Sequence, residues 1–105
     1  MRWKAIEDKV CCMLFIKNHV LNELNLSTSI QEALYFGVDK TEGSIKMKFN
    51  NIASLCDEYG IKTSSKVKRL SNYSRQNQEE FQSIKDFSVK DILTELNKIK
   101  TGRVD

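Results

Sequence analysis

The 105-residue sequence contains no proline and a single histidine, His19. An all-β domain of this size normally places several prolines at turns and sheet edges, so their absence favours helices. One histidine cannot supply a zinc site or a histidine-based nuclease centre. The longest apolar run, Val10–Ile16, has seven residues and is too short to cross a bilayer. We therefore expect a helical protein with no membrane partner.

Cysteine is also scarce, with Cys11, Cys12 and Cys56 as the only three. An odd number argues against the disulfide framework of a secreted domain and predicts reduced, core-lining thiols in a cytoplasmic protein. The cysteines form no CxxC pair, and no phosphate-binding, dinucleotide or serine-hydrolase signature occurs. These absences predict that the chain is not an enzyme and uses no metal and no cofactor.

The net charge of +3 is small, but its distribution along the chain is uneven. Residues 1–59 and 76–105 each carry a net charge of −1, whereas residues 60–75 contain five basic residues and no acidic one. A local excess of this kind indicates an anionic partner, of which nucleic acid is the commonest. The alternative is a solvated basic loop that has no partner.

Hydrophobic periodicity and capping signals predict an all-α fold. One amphipathic helix is expected from about Trp3 to Asn18. The other expected helices are Ile30–Phe36 with Ser29 as its cap, a longer helix capped by Thr41 and ended by Gly60, Arg75–Ile84 after Ser74, and a C-terminal helix over residues 88–101. The chain is therefore expected to be one domain, residues 1–105, folded as a small bundle of four to five helices.

Residues 29–59 have the order of a helix-turn-helix segment: a short helix, a turn with Gly37, and a longer helix. In such modules the second helix enters the major groove with its N-terminal residues foremost. The residues expected there carry side chains that pair with phosphates or base edges: Lys40, Thr41, Ser44, Lys46, Lys48 and Asn51. The basic loop at 61–73 and the start of the next helix add Lys62, Lys66, Lys68, Arg69 and Arg75.

A wider pattern accompanies this segment. Trp3 and Glu7 open it, the stretch from Lys40 to Ile52 forms its centre, and Leu55, Gly60, Ser74-Arg75 and Phe81 follow. The pattern resembles the N-terminal helical domain, similar to Myb or helix-turn-helix modules, that precedes the nuclease module in bacterial HNH endonucleases of restriction type. Thr41, Ser44, Ile45, Lys48 and Asn51 match it, and Lys40 stands where an arginine is usual. The resemblance implies the DNA-associated part of such enzymes without the nuclease.

Two functions fit these observations. The first is a small DNA-binding regulator from a bacterial or phage genome, with duplex DNA as the partner. The second is a protein of a phage or other mobile element that binds and blocks a host defence nuclease, of the anti-CRISPR or anti-restriction type. The apolar face of the last helix, formed by Val89, Ile92, Leu93, Leu96 and Ile99, either closes the core or forms a homodimer.

Overall fold

The computed structural model describes residues 2–63 and 67–102. Within these ranges the chain forms five α-helices and no β-strand, so the predicted all-α bundle is confirmed. The helices are α1 (Ala5–Phe15), α2 (Leu26–Tyr35), α3 (Glu42–Glu58), α4 (Arg75–Ile84) and α5 (Val89–Gly102). A π-helical turn, Ile16–Val20, continues α1. No helix among the described residues is long and apolar enough to cross a membrane.

Helix α1 lies at the centre of the bundle and contacts α2, α3, α4 and α5. Every residue from Val10 to Ile16 is buried, so the longest apolar run of the sequence is surrounded by the other helices on all sides. The three cysteines are free and buried, as their prediction as core thiols required. Burial raises the pKa of the Cys56 thiol to about 12, which keeps this side chain protonated and unreactive at neutral pH.

The start of α2 differs from the sequence prediction. The helix begins at Leu26 and is capped by Asn25, whose Oδ1 accepts a hydrogen bond from the Thr28 amide at 2.9 Å. Ser29, predicted as the cap, is instead a buried residue inside the helix. Its Oγ accepts a hydrogen bond from Asn18 Nδ2 at 2.9 Å and lies 2.7 Å from His19 Nε2. These contacts join α2 to the π-helical turn, which the local capping pattern does not reveal.

The connection from α2 to α3 runs from Phe36 to Thr41. Gly37 ends α2 with a φ of 94°, a left-handed conformation that favours glycine. The Asp39 amide donates to Glu7 Oε2 at 2.8 Å, and Glu7 Oε1 accepts from the Lys4 amide at 2.9 Å. One carboxylate thus holds the turn against the start of α1. The connection is longer than the three- to four-residue turn of a compact helix-turn-helix.

Helices α4 and α5 begin where the sequence predicted. Ser74 accepts from the Asn77 amide at 3.0 Å to cap α4. The Asp91 amide donates to Ser88 Oγ and the Ser88 amide donates to Asp91 Oδ2, both at 3.1 Å, and this pair caps α5. Helix α5 closes the core through Ile92 and Leu96, while Leu93 is 52% exposed.

Candidate nucleic-acid interface

Helix α3 presents the surface on which most of the predicted binding residues lie. Thr41 caps it, since its Oγ1 accepts a hydrogen bond from the Ser44 amide at 3.1 Å. The inner face carries the predicted apolar stripe, which is buried through Ile45, Phe49, Ile52 and Cys56. Lys46 and Met47 lie on the opposite side and are exposed. The N-terminal half of α3 therefore forms an exposed ridge, which we define as Gly43, Lys46 and Met47.

A groove runs along one side of this ridge, between α3 and the segment that precedes α2. Its volume is about 560 Å³. Lys46 of α3 and Lys68 of the basic loop line the same groove, so the structure brings together two predicted cations that are far apart in the sequence. The remaining lining residues are Glu23, Leu24, Asn25, Leu26, Asn50 and Val67. We call this the Asn50 groove.

Two smaller grooves lie on the other side of the ridge and share Trp3, Lys48 and Ser74. One, of about 230 Å³, is lined by Ser44, Met47, Asn51 and Asn72 in addition to the shared residues. The second, of about 380 Å³, adds Arg2, Arg75 and Gln76. The Arg75 side chain is 89% exposed, and its Nε lies 3.4 Å from Glu79 Oε2. The exposed ridge thus has Lys68 beside it on one side and Arg2 and Arg75 on the other.

Lys48 is not part of this exposed surface. Its side chain is only 6% exposed, and Nζ lies 2.7 Å from Oδ1 of Asp8, which is fully buried. Nζ also sits 4.5 Å from the centre of the Trp3 ring. The other carboxylate oxygen of Asp8 accepts a hydrogen bond from Gln76 Nε2 at 2.6 Å. The placement of Lys48 among the exposed DNA-contacting lysines was therefore wrong, because an acidic partner on α1 draws its side chain inward.

Lys40 and Arg69 are engaged within the protein. Lys40 Nζ donates to the Arg2 carbonyl oxygen at 2.9 Å and lies 5.6 Å from the centre of the Trp3 ring. Arg69 donates from Nε and Nη2 to the two carboxylate oxygens of Asp57, at 2.8 and 3.1 Å. This hydrogen-bonded guanidinium lowers the pKa of the Asp57 carboxyl. Both cations fix chain segments and are less available to a ligand than Lys46 or Lys68.

The basic loop is held against α3 at several points. The Leu70 amide donates to the Asn50 carbonyl oxygen at 3.2 Å, and the Ile61 amide donates to that of Cys56 at 2.8 Å. Val67 is buried in the core. Lys62 and Lys68 are exposed, whereas Lys66 lies outside the described residues. Val67 and Lys68 therefore form one wall of the Asn50 groove.

Several residues of the grooves were not predicted as binding residues from the sequence: Arg2, Asn25, Asn50 and Asn72. Asn50 follows Lys46 by one helical turn, and this spacing was the one signal that placed the two side chains together. Among the described residues, no group of three histidine, cysteine or acidic side chains is placed to hold a metal ion. The chain gives no match when it is compared with protein-family models, curated proteins and solved structures.

Proposed function

We propose that this chain is a small, non-enzymatic DNA-binding protein, a bacterial or phage regulator that places the N-terminal half of α3 against duplex DNA. The observation that carries the proposal is an exposed ridge that bears Lys46 and that has Lys68 beside it on one side and Arg2 and Arg75 on the other. The major groove of B-DNA admits one α-helix, and basic side chains beside that helix then meet the phosphates.

The neutral side chains around the ridge support the same function. Ser44, Asn51 and Asn72 line the groove next to Met47 and offer donors and acceptors for phosphates or base edges. Met47 is 54% exposed on the ridge itself and supplies an apolar contact for a thymine methyl group. The basic loop contributes through Lys62 and Lys68, and its attachment to α3 fixes the position of Lys68 relative to Lys46.

The test is a binding titration of the full chain with random-sequence duplex DNA over a range of salt concentrations. Because counterions leave the phosphates on binding, we expect affinity to fall steeply as salt rises from about 50 to 200 mM. The charge-reversal variant Lys46→Glu should abolish measurable binding. Lys90→Glu, an identical change at an exposed position of α5, is the matched control and should bind like the unmodified protein. Absence of binding at about 50 mM salt would reject this function.

A second candidate function, blocking of a host defence nuclease, is supported by a different surface. Tyr35 and Leu93 are 63% and 52% exposed, and they border a groove of about 230 Å³ between α2 and α5. Lys100 Nζ lies 3.9 Å from the centre of the Tyr35 ring. Exposed apolar patches with a polar rim are typical of protein interfaces. A homodimer would use the same patch.

Two measurements distinguish a nuclease from a second copy of this chain as the partner of this apolar patch. Sedimentation of the purified chain reports a homodimer, which Leu93→Glu should dissociate. A stoichiometric complex with a purified HNH or CRISPR-effector nuclease that duplex DNA does not displace would favour the inhibitor function. If Leu93→Glu leaves DNA affinity unchanged but abolishes the complex, the apolar patch and not the ridge carries the second function.

A further inference from the structure

The Asn50 groove is lined by two lysines that have no counter-ion. Lys46 of α3 and Lys68 of the basic loop are both exposed. Within the described part of the chain neither forms an ion pair, whereas their sequence neighbours Lys48 and Arg69 are each paired with an aspartate. Two like charges that line one groove repel each other, so an anionic ligand bound there stabilises the arrangement.

The walls of the groove are apolar. Leu24 and Leu26 come from the segment before α2 and from its first residue, and Val67 comes from the basic loop. Leu24 is half-buried but does not pack against the hydrophobic core of the described residues, so its side chain contributes to the groove and not to the core. A DNA phosphate contacts lysines and makes no use of apolar walls. These walls therefore indicate a ligand that has an apolar body.

The size and the charge of the groove define the ligand further. The volume of about 560 Å³ lies within the range of pockets that hold small organic molecules. Glu23 is exposed and also lines the groove, so the lining holds two cations and one anion, a net charge of +1. A ligand with one negative charge neutralises this lining, whereas a second negative charge is repelled by Glu23.

We propose that the Asn50 groove binds a small organic anion that has one charged group and an apolar body. The charged group contacts Lys46 and Lys68, and the body packs against Leu24, Leu26 and Val67. Because the same two lysines are proposed to contact DNA, the bound anion excludes DNA from them and acts as a release signal. This release step rests on the proposed function, whereas the binding step does not depend on it.

The probe for the binding step is anilinonaphthalene sulfonate, an aromatic monoanion whose fluorescence rises in apolar surroundings. Its uncharged counterpart, phenylnaphthylamine, has the same aromatic body and is the matched ligand control. In fluorescence titrations of the full chain, Lys46→Ala and Lys68→Ala should each lower the affinity for the sulfonate about three- to fivefold, a loss typical of one partly exposed charge pair. Both variants should bind phenylnaphthylamine like the unmodified protein. Unchanged sulfonate affinity in both variants would overturn the proposal.

The variant Leu24→Ser tests the apolar wall. It should lower the affinity for both probes about tenfold, because the aromatic body then buries less apolar area. Lys100→Ala is the matched control at the groove between α2 and α5, where Lys100 Nζ lies 3.9 Å from the centre of the Tyr35 ring. This control should bind the sulfonate like the unmodified protein. Sulfonate affinity that falls in Lys100→Ala and not in Leu24→Ser would place the probe in that other groove and reject the Asn50 groove as its site.

The release step is measured by the anisotropy of labelled duplex DNA at constant ionic strength. Anilinonaphthalene sulfonate should displace DNA from the unmodified protein, and phenylnaphthylamine should not. Leu24→Ser should bind DNA like the unmodified protein, because it removes no charge, but its release should require about tenfold more sulfonate. Sulfonate that binds in the groove without displacing DNA would overturn the release step.

The same measurements separate this inference from the proposed function. If duplex DNA is bound and the lysine variants do not alter sulfonate affinity, the anion site is rejected and the DNA-binding function stands. If the sulfonate is bound as expected and DNA is not bound at low salt, the DNA-binding function is rejected and the anion site stands.

Discussion

Lys48 Nζ and Asp8 Oδ1 lie 2.7 Å apart in a buried ion pair that joins α3 to α1. The pair is covered by the Trp3 ring on one side, and Gln76 from α4 donates to the second oxygen of Asp8. Three helices and the N-terminal segment thus meet at one carboxylate. This arrangement orients α3 relative to the central helix α1. The position of the exposed ridge therefore depends on a lysine that does not itself face solvent.

The first prediction concerns this ion pair. Lys48→Met should lower the free energy of unfolding by about 3–5 kcal/mol, because it leaves the buried carboxylate without its cation. The double variant Lys48→Met/Asp8→Asn should be less destabilised than Lys48→Met alone, since no uncompensated charge remains. Urea unfolding followed by circular dichroism measures both values. A double variant that is as destabilised as Lys48→Met, or more so, would mean that the unpaired carboxylate is not what destabilises Lys48→Met.

The contrast between Lys48 and Thr41 shows which features of the fold were predictable from the sequence. Thr41, Ser74 and Ser88 were identified as helix caps because a cap and the amide it accepts from lie three residues apart. Lys48 was misplaced because its partner is forty residues away on another helix. Exposure along a helix is set by what packs against it, and a spacing rule does not contain that information.

The prediction that Ser29 caps α2 was wrong for a related reason. The Ser29-to-Glu32 spacing fits a capping box, but Asn25 caps the helix one turn earlier. The Ser29 hydroxyl is occupied by Asn18 and His19, and Glu32 accepts from Asn18 Nδ2 at 2.8 Å. Buried hydrogen-bond networks of this kind combine residues from separate elements, and they override a local signal of about 1 kcal/mol. The Asn50 groove was missed in the same way, since its walls come from three separate segments.

The second prediction follows from His19, which is buried against Phe15 with ring centres 4.9 Å apart. Burial lowers the pKa of its imidazole below the ordinary value of 6.5, although the nearby Glu32 carboxylate opposes the shift. Below about pH 6.5 the unfolded chain therefore binds a proton that the folded chain does not, and stability falls as the pH decreases. Above that pH both states are neutral at this position and the contribution is constant.

The measurement compares the unmodified protein with His19→Gln, which does not titrate. The difference in unfolding free energy between the two proteins should shrink as the pH is lowered from 7 through about 6.5 towards 5. Taking the difference removes the contributions of the carboxylates to the pH dependence of stability, because the two proteins contain the same carboxylates. A difference that stays constant over this range would mean that the folded and unfolded states share one pKa at His19.

The third prediction concerns Gly43 in the first turn of α3. A Cβ atom built at this position meets nothing within 4 Å, so no neighbouring helix requires a glycine there. Gly43→Ala should therefore raise the free energy of unfolding by about 0.5–1 kcal/mol through helix propensity alone. Thermal unfolding checks this value. If the same variant binds duplex DNA more weakly, the glycine serves close approach of a phosphate to the exposed ridge.

The fourth prediction compares Lys68 and Arg69, which are neighbours in the sequence but have different surroundings in the structure. Lys68 lines the Asn50 groove, whereas Arg69 is bound to both carboxylate oxygens of Asp57. Lys68→Ala and Arg69→Ala remove the same charge at adjacent positions, so each is the matched control for the other. Lys68→Ala should weaken DNA binding uniformly across sequences and reduce the salt dependence by about one phosphate contact.

Arg69→Ala should instead act on the loop. Its ion pair is partly exposed, so its removal should cost at most about 1 kcal/mol of stability, and DNA affinity should change less than in Lys68→Ala. Anisotropy titrations give the DNA affinity of each variant, and urea unfolding gives the free energy of unfolding of each. Equal losses of affinity would mean that DNA responds to the net charge of the basic loop. A loss confined to Lys68→Ala would mean that the position of the cation in the groove determines binding, as the contact between the loop and α3 leads us to expect.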